Sequence, residues 1–351
     1  KVSKKQIADI LPFLGLDIES VDGDLVRVEY SPNRPDYSTD HGIALGLQGL
    51  LGIKTGTIDL KVKNSNDYNI DVKPAVSKVR PYVTGIVASN GKVDDRMIRQ
   101  LMAMQEDLHF GIGRKRKKSS IGIHDLDKIS FPLTYTTASR DYKFVPLNSE
   151  KELTMSEILA STDVGKSYGG ILGNSSHVPL IIDSKKQTVS FPPIINAAVT
   201  TVTSKTKNLF VEVTGINKDD AEDMLSIVAV ILQSAGFSLV TVKIRGAKNS
   251  PPALATKKMT VSSTLVNEIL GLNLSVPKIV SYLKKSRISA VSKGKNVICN
   301  IPRYRFDIFG PMDLVEEVAL GYGIANLEPM LSPSQTIGQP STVSTRLKSL
   351  S

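Results

Sequence analysis

"VEYSPNRPDYSTDHGIALGL", residues 28–47, and "CNIPRYRFDIFGPMDLVEEVALGYG", residues 299–323, follow one plan. Each starts as a strand, breaks at proline with an arginine and an aspartate close by, and resumes as a helix with an apolar residue beside alanine. Ahead of the first stretch, Ile7, Ile10, Leu11 and Leu14 sit at helical spacing, which predicts a helix over 5–16 that stops at Gly15. "DGDLVRVEY" is a turn feeding an alternating strand, and Ser38 or Thr39 is placed to cap the next helix. Ahead of the second, "LVNEILGLNLSVPKIVSYLKK" gives two short helices and "SRISAVSKGKNVICNIP" a hairpin about Lys293-Gly294. The reading is two small helix-hairpin, winged-helix-like modules, 1–74 and 251–331, around a larger middle at 75–250. Such modules present a nucleic-acid-facing surface or simply pack, and both readings stand.

In the middle, "VRPYVTGIVAS", "SSIGIHDL", "PLTYTTA", "VPLIIDS", "TVSFPP", "NLFVEVTG" and "FSLVTVKIRG" read as strands, and 95–109, 154–159 and 219–235 as helices. Strands in this excess predict a multidomain α+β chain with a large central sheet. Residues 332–351 are Ser/Pro-rich and read as a linker towards a further domain.

Composition narrows the partner. Lys and Arg exceed Asp and Glu by 44 to 34, a net charge of +10, which favours an anionic partner and nucleic acid first. With no Trp and 5% aromatics, backbone and end recognition fit better than base stacking. One cysteine, Cys299, excludes an internal disulfide and a Cys-rich zinc site, so a reducing, cytoplasmic setting is expected. No apolar run approaches 18 residues, so no membrane partner is expected.

Five features bear on chemistry. The helix at 95–109 carries Gln105 and His109 on or beside its apolar stripe, either bordering the core or lining a pocket. "GRKRKKSSIGIHDLD" packs Arg114, Lys115, Arg116, Lys117 and Lys118 against a strand bearing Gly122, His124 and Asp125. It is a solvated loop, a nuclear signal, or a hand for phosphates beside titratable groups. In "SFPPIIN", Pro192 and Pro193 remove two backbone donors and make a rigid rim ending at Asn196. "NLFVEVTGINKDD" is a strand turning through Thr214-Gly215 into a helix N-terminus. Asp307, Asp313, Glu316 and Glu317 form either a capping box, with Asp313 as N-cap and Glu316 three residues on, or a Mg2+ site. No GxSxG, HExxH, P-loop or dinucleotide fingerprint occurs, so chemistry here would lack an obvious nucleophile.

Taken in order, "VEYSPNRPDYSTDHGIALGLQGLLG", "QEDLHFGIGRKRKKSSIGIHDLDKI", "LTYTTA", "KFVPLN", "VPLIID", "SFPPIIN", "NLFVEVTG" and "RYRFDIFGPMDLVEEVALGYG" resemble the β subunit of phenylalanyl-tRNA synthetase, archaeal/eukaryotic type, over nearly the whole chain. The resemblance implies an N-terminal fragment with a middle editing domain, in a cytoplasmic α2β2 enzyme. There the α subunit activates phenylalanine with ATP, and the β subunit hydrolyses Tyr-tRNA(Phe). An apolar pocket cannot strongly reject an analogue that adds only a hydroxyl, so a second site that bonds the hydroxyl is needed.

Carried over, the resemblance implies an editing pocket made by Gln105, Arg114 to Lys117, His124, Val189 to Asn196 and Glu212 to Asn217. Arg114 and Arg116 would hold tRNA phosphates. The Pro192-Pro193 rim and Thr214-Gly215 would position the ester, and Glu212 or Asn217 would read the tyrosine hydroxyl or α-amino group. A water helped by the terminal ribose hydroxyl would attack. Asn217 stands where the family pattern has aspartate, which leaves its role open. The resemblance also makes Asp307, Asp313, Glu316 and Glu317 a Mg2+ site shared with the α subunit. Two rivals remain: a docking scaffold for the α subunit and tRNA with a decayed pocket, and a general aminoacyl-ester hydrolase.

Overall fold

The computed structural model describes residues 2–23, 25–246, 254, 256–329 and 341–350. The expected boundary at 250/251 and half of the expected linker lie outside them; Thr342–Leu350 is helical. The chain is α+β throughout.

The two repeated stretches fold alike. Arg34 grips Asp36 with Nε and Nη2 at 2.9 and 2.8 Å, and Arg305 grips Asp307 the same way, at 2.9 and 2.8 Å. Each pair pins the irregular turn between strand and helix with a bidentate bond. Thr39 caps the Asp40–Leu50 helix by accepting the Gly42 N–H. At the second repeat the expected cap is displaced. Gly310 is the N-cap of Pro311–Tyr322, and Asp313, three residues in, accepts the N–H groups of Phe309 and Gly310 at 2.7 and 2.8 Å. Glu316 therefore lies beyond the cap. The first helix is also shorter than its pattern, Lys4–Ile10, because Pro12 brings no N–H and the chain tightens into a 3-10 turn, Leu11–Leu14.

The hairpin Leu16–Asp22 with Leu25–Tyr30 completes the first module, and a three-stranded sheet ordered Lys257–Ser262, Asn296–Ile301, Ser289–Lys293 completes the second. The two modules touch. Gly49 lies so close to the Lys285 carbonyl that no Cβ fits, and Arg287 Nη1 donates to the Lys54 carbonyl.

The middle is not one large sheet but two, face to face. Five strands run in the order 62–63, 238–241, 82–89, 209–215, 119–125, and six in the order 195–196, 188–191, 177–182, 133–139, 69–72, 243–245. Odd-numbered residues of Leu209–Gly215 face the helices Asp95–Phe110 and Lys218–Ser234, where Leu209, Val211 and Val213 join Leu101, Met104 and Leu225 in one core. Even-numbered residues face the second sheet, where Phe210 packs with Leu133, Tyr135 and Val189. This is the period-2 alternation of a strand sandwiched between two layers.

The stretch "FSLVTVKIRG" is two strands. Ser238–Thr241 belongs to the first sheet and Lys243–Arg245 to the second, with fully buried Val242 at the crossing. Val62–Lys63 and Asn69–Val72 make the same crossing alongside, each paired in parallel with its neighbour.

Candidate active site

Glu212 is a carboxylate on the inner, buried face of a sheet, which demands space and partners. Both neighbouring strands supply the space: Gly85 and Gly122 stand opposite it in register. A Cβ on Gly122 would come within 2.6 Å of both Glu212 Oε1 and His124 Nε2, and 3.1 Å of Asn196 Oδ1. Three polar side chains from three strands thus converge over a glycine. Ser190 Oγ, from the opposite sheet, donates to Glu212 Oε1 at 2.9 Å.

Two atoms at this point are unpaired: among the described residues Glu212 Oε2 and His124 Nε2 have no hydrogen-bond partner, although Glu212 is 2% and His124 0% exposed. Thr200 Oγ1 lies 2.9 Å from His124 Nδ1 and 3.2 Å from the Ala197 carbonyl, and orients the ring. Nε2 lies 4.0 Å from Glu212 Oε1. A buried carboxylate oxygen and a buried ring nitrogen left without partners call for a polar group beside them.

The gap opens into a cavity of about 570 Å³ lined by Gln105, Glu106, Arg116, Asn196 and Glu212 and roofed by Pro192–Ile195. Arg116 closes its wall. The guanidinium donates to the Ile194 and Pro193 carbonyls at 2.9 and 3.4 Å, pairs with Glu106 Oε1 at 2.7 Å, and lies 4.2 Å from the Tyr168 ring centroid. To turn it inward, Arg114, Lys115 and Arg116 all take positive φ, 49°, 54° and 64°. Left-handed conformation costs a non-glycine residue about 1–2 kcal/mol, and three occur in succession. The basic run is therefore divided. Arg116 is a buried tie, and Arg114, Lys115, Lys117 and Lys118 point to solvent.

His109 belongs to the scaffold. Its Nε2 accepts the Ile121 N–H at 2.8 Å, docking the helix end on the strand, and burial holds the ring below the usual histidine range. Glu106, partner of His109 and Arg116, is pulled down to about 2.

Of the other residues that the sequence singles out, Val189 is core. Thr214 Oγ1 faces away from the cavity, accepting from buried Arg80 Nε at 2.9 Å. Gly215 ends its strand in register with Ser119. Asn217 is exposed and caps the Lys218–Ser234 helix, accepting the Asp219 and Asp220 N–H groups at 2.8 and 3.2 Å. Gly122 and Ser190 lie in stretches the sequence already singles out, and Glu106 and Tyr168 complete the site without a sequence signal of their own. Only the i+2 step from Gly122 to His124 puts both on one face.

The four acidic residues near the other end do not assemble as a metal cage. Arg305 lies between Asp307 and Glu317 and pairs with both. Asp313 is spent on the helix cap. Desolvation, then Glu317, Asp313 and Asp307, raise the Glu316 carboxyl. Among the described residues no group of three or more His, Cys, Asp or Glu side chains is arranged to hold a metal ion. Within this chain the donor set does not fit Mg2+, because a guanidinium already fills its centre. Nor, among the described residues, is any helix long and apolar enough to cross a membrane.

Residues 92–226 match the family model of the B3/4 domain, and 259–324 that of the tRNA synthetase B5 domain. The chain is 40% identical over 331 residues to the phenylalanine–tRNA ligase β subunit of Archaeoglobus fulgidus, covering 94% of this chain and 60% of that one. The β subunits of Methanosphaera stadtmanae and Sulfurisphaera tokodaii are 36% and 38% identical; each match covers 62% of the relative. The chain thus spans about three-fifths of these relatives. A crystal structure of an N-terminal fragment of the phenylalanyl-tRNA synthetase β subunit from Pyrococcus horikoshii superposes with a TM-score of 0.87 at 28% identity, covering 92% of this chain and 95% of that one.

Proposed function

The chain belongs to the family of phenylalanine–tRNA ligase β subunits, and we propose that its two-sheet middle hydrolyses Tyr-tRNA(Phe). The observation that carries this is the pair left unpaired among the described residues, Glu212 Oε2 on the cavity wall and His124 Nε2 beside it. An aminoacyl ester enters side chain first, because its adenosine must stay at the mouth. The phenol O–H of tyrosine then arrives beside both, and Glu212 takes its hydrogen bond. Phenylalanine has no donor there and would leave both groups buried and unpaired, at about 1–3 kcal/mol each. A site built to bond a hydroxyl selects against the molecule lacking it, which is the discrimination an apolar synthetic pocket lacks.

The reaction itself takes place at the mouth. Water adds to the ester carbonyl carbon, the ester C–O bond breaks, and the water's proton passes to the departing ribose oxygen, with the neighbouring ribose hydroxyl as helper. Arg116 positions the Pro193–Ile194 rim that borders the ester, and Asn196 stands beside Glu212 and His124; no side chain becomes covalently attached. The exposed Arg114, Lys115 and Lys117 meet RNA phosphates. The α subunit, the use of ATP there and a cytoplasmic α2β2 assembly complete the reading.

The competing scaffold reading leaned on Asn217, which serves as a helix cap as well as aspartate would. The test is release of tyrosine from Tyr-tRNA(Phe) against phenylalanine from Phe-tRNA(Phe), for wild type and Glu212→Gln. Wild type is expected to release tyrosine selectively, and Glu212→Gln to lose the preference. No release above the uncatalysed rate, by this chain or by the full α2β2 enzyme, would leave the scaffold reading standing.

A further inference from the structure

A second cavity of about 480 Å³ shares Pro193 with the first. Its charged lining is entirely cationic, Lys78, Arg80 and Lys117, with no carboxylate. Arg80 is 2% exposed. Its Nε and Nη2 are satisfied by Thr214 Oγ1, Thr214 O and Ser120 Oγ, at 2.9, 2.8 and 3.2 Å. Nη1 is not. It carries two N–H bonds, and its one acceptor is the Lys117 carbonyl at 3.4 Å. Among the described residues no acidic side chain forms a salt bridge with Arg80; burial lowers its pKa to about 10, against the opposing pull of Tyr135 and Glu212. A buried guanidinium with no salt-bridge partner among the described residues, at the wall of a cavity lined by two exposed lysines and by no carboxylate, is placed to take an anion.

We infer that this second cavity binds a backbone phosphate of the RNA strand whose 3′-terminal aminoacyl nucleotide fills the first. The inference rests on the editing proposal, because it takes its ligand from that strand. Continuity through Pro193 favours a strand over a free anion: a chain with its last residue in one cavity carries its phosphates past the mouth. Exposed Ile216 at the lip offers an apolar contact for a ribose or base. Arg80 sets the depth of the phosphate, and Lys78 and Lys117 supply charge that side-chain motion keeps adaptable.

The test uses Lys78→Glu and Lys117→Glu, both exposed positions, so that folding is spared. Binding of a CCA-ended single-stranded RNA is titrated against salt. Log affinity falls with log salt by about 0.7 per phosphate contact on single strands. Each variant should weaken binding about tenfold and flatten the slope by about that amount. Hydrolysis of Tyr-tRNA(Phe) should fall, through KM, about tenfold more than hydrolysis of 3′-O-tyrosyladenosine, which has no phosphate. Equal losses on both substrates, or an unchanged salt slope, would overturn the inference. So would inorganic phosphate that stabilises the wild type, but not Lys78→Glu, without competing with the RNA, since the site would then serve a free anion. If wild type hydrolyses neither substrate, the editing proposal fails, and the RNA titration still decides this one.

Discussion

Replacing Gly122 by alanine is the sharpest perturbation of the pocket. The new methyl would lie 2.6 Å from Glu212 Oε1 and His124 Nε2, where ordinary contact begins near 3.4 Å, so both must retreat by about 0.8 Å. Overpacking of this kind costs roughly 1–3 kcal/mol, about 4–8 °C in Tm for a loss of roughly 2 kcal/mol in a domain of this size. The retreat also breaks this pair. Losing one buried hydrogen bond to the phenol, worth about 1–3 kcal/mol, lowers the preference for tyrosyl over phenylalanyl ester by roughly 5-fold to 160-fold. The comparison is Gly85→Ala, on the other side of Glu212. Its methyl would meet the Val211 carbonyl at 2.8 Å and the Phe210 ring at 3.2 Å, but neither member of the pair. Both variants should lose stability, and only Gly122→Ala should lose selectivity. The assay is single-turnover deacylation of both esters beside a thermal melt. Equal selectivity in the two variants would refute the assignment of this pair to the tyrosine hydroxyl.

Other outcomes follow from the same contacts. Arg116→Leu removes a buried tie worth roughly 2 kcal/mol, so amide exchange at residues 192–196 should quicken by about 30-fold while the rest of the sheet holds. His109 is bound as the neutral ring and its folded pKa is lowered by burial. The unfolded chain therefore takes up the proton first, and stability falls as pH drops below about 6.5; His109→Gln should flatten that acid limb in melts between pH 7 and 5. Arg303→Met removes the partner of Asp219, Glu222 and Asp223 on the central helix at 3.1, 3.1 and 2.8 Å. It should cost roughly 3 kcal/mol, read by urea unfolding. Mg2+ should leave the Tm of this chain unchanged while Arg305 fills the space between Asp307 and Glu317.

Local signals in the sequence carried the secondary structure far. Six of the seven quoted strands form as single strands and the seventh as two, and the repeat at 28–47 and 299–323 is real to the level of its Arg-x-Asp pairs. What stayed hidden is non-local. Val62–Lys63 is too short to show alternation, and nothing in "SLVTVKI" marks Val242 as a passage between sheets. One sheet was expected where two exist, because period 2 reports a buried face and not what covers it. The pocket shows the same division. His124 was legible as a titratable group on a strand and Asn196 as the end of a rigid rim, Glu212 came only with the family resemblance, and no spacing predicts that they meet Ser190 of the facing sheet. Arg116 looked like its neighbours. Only three consecutive left-handed residues turn it inward, and charge composition contains no hint of that.

The double crossing at Val62–Val72 and Ser238–Arg245 stitches the two sheets along one margin, and the strands bearing Asn196, Gly122 and His124 lie at the opposite margin. The middle of the molecule is thus bound like a book, with the ribbon as its spine and the cavity between the fore-edges of the covers. Arg116, fastened from one cover to the Pro193–Ile194 edge of the other, is the clasp.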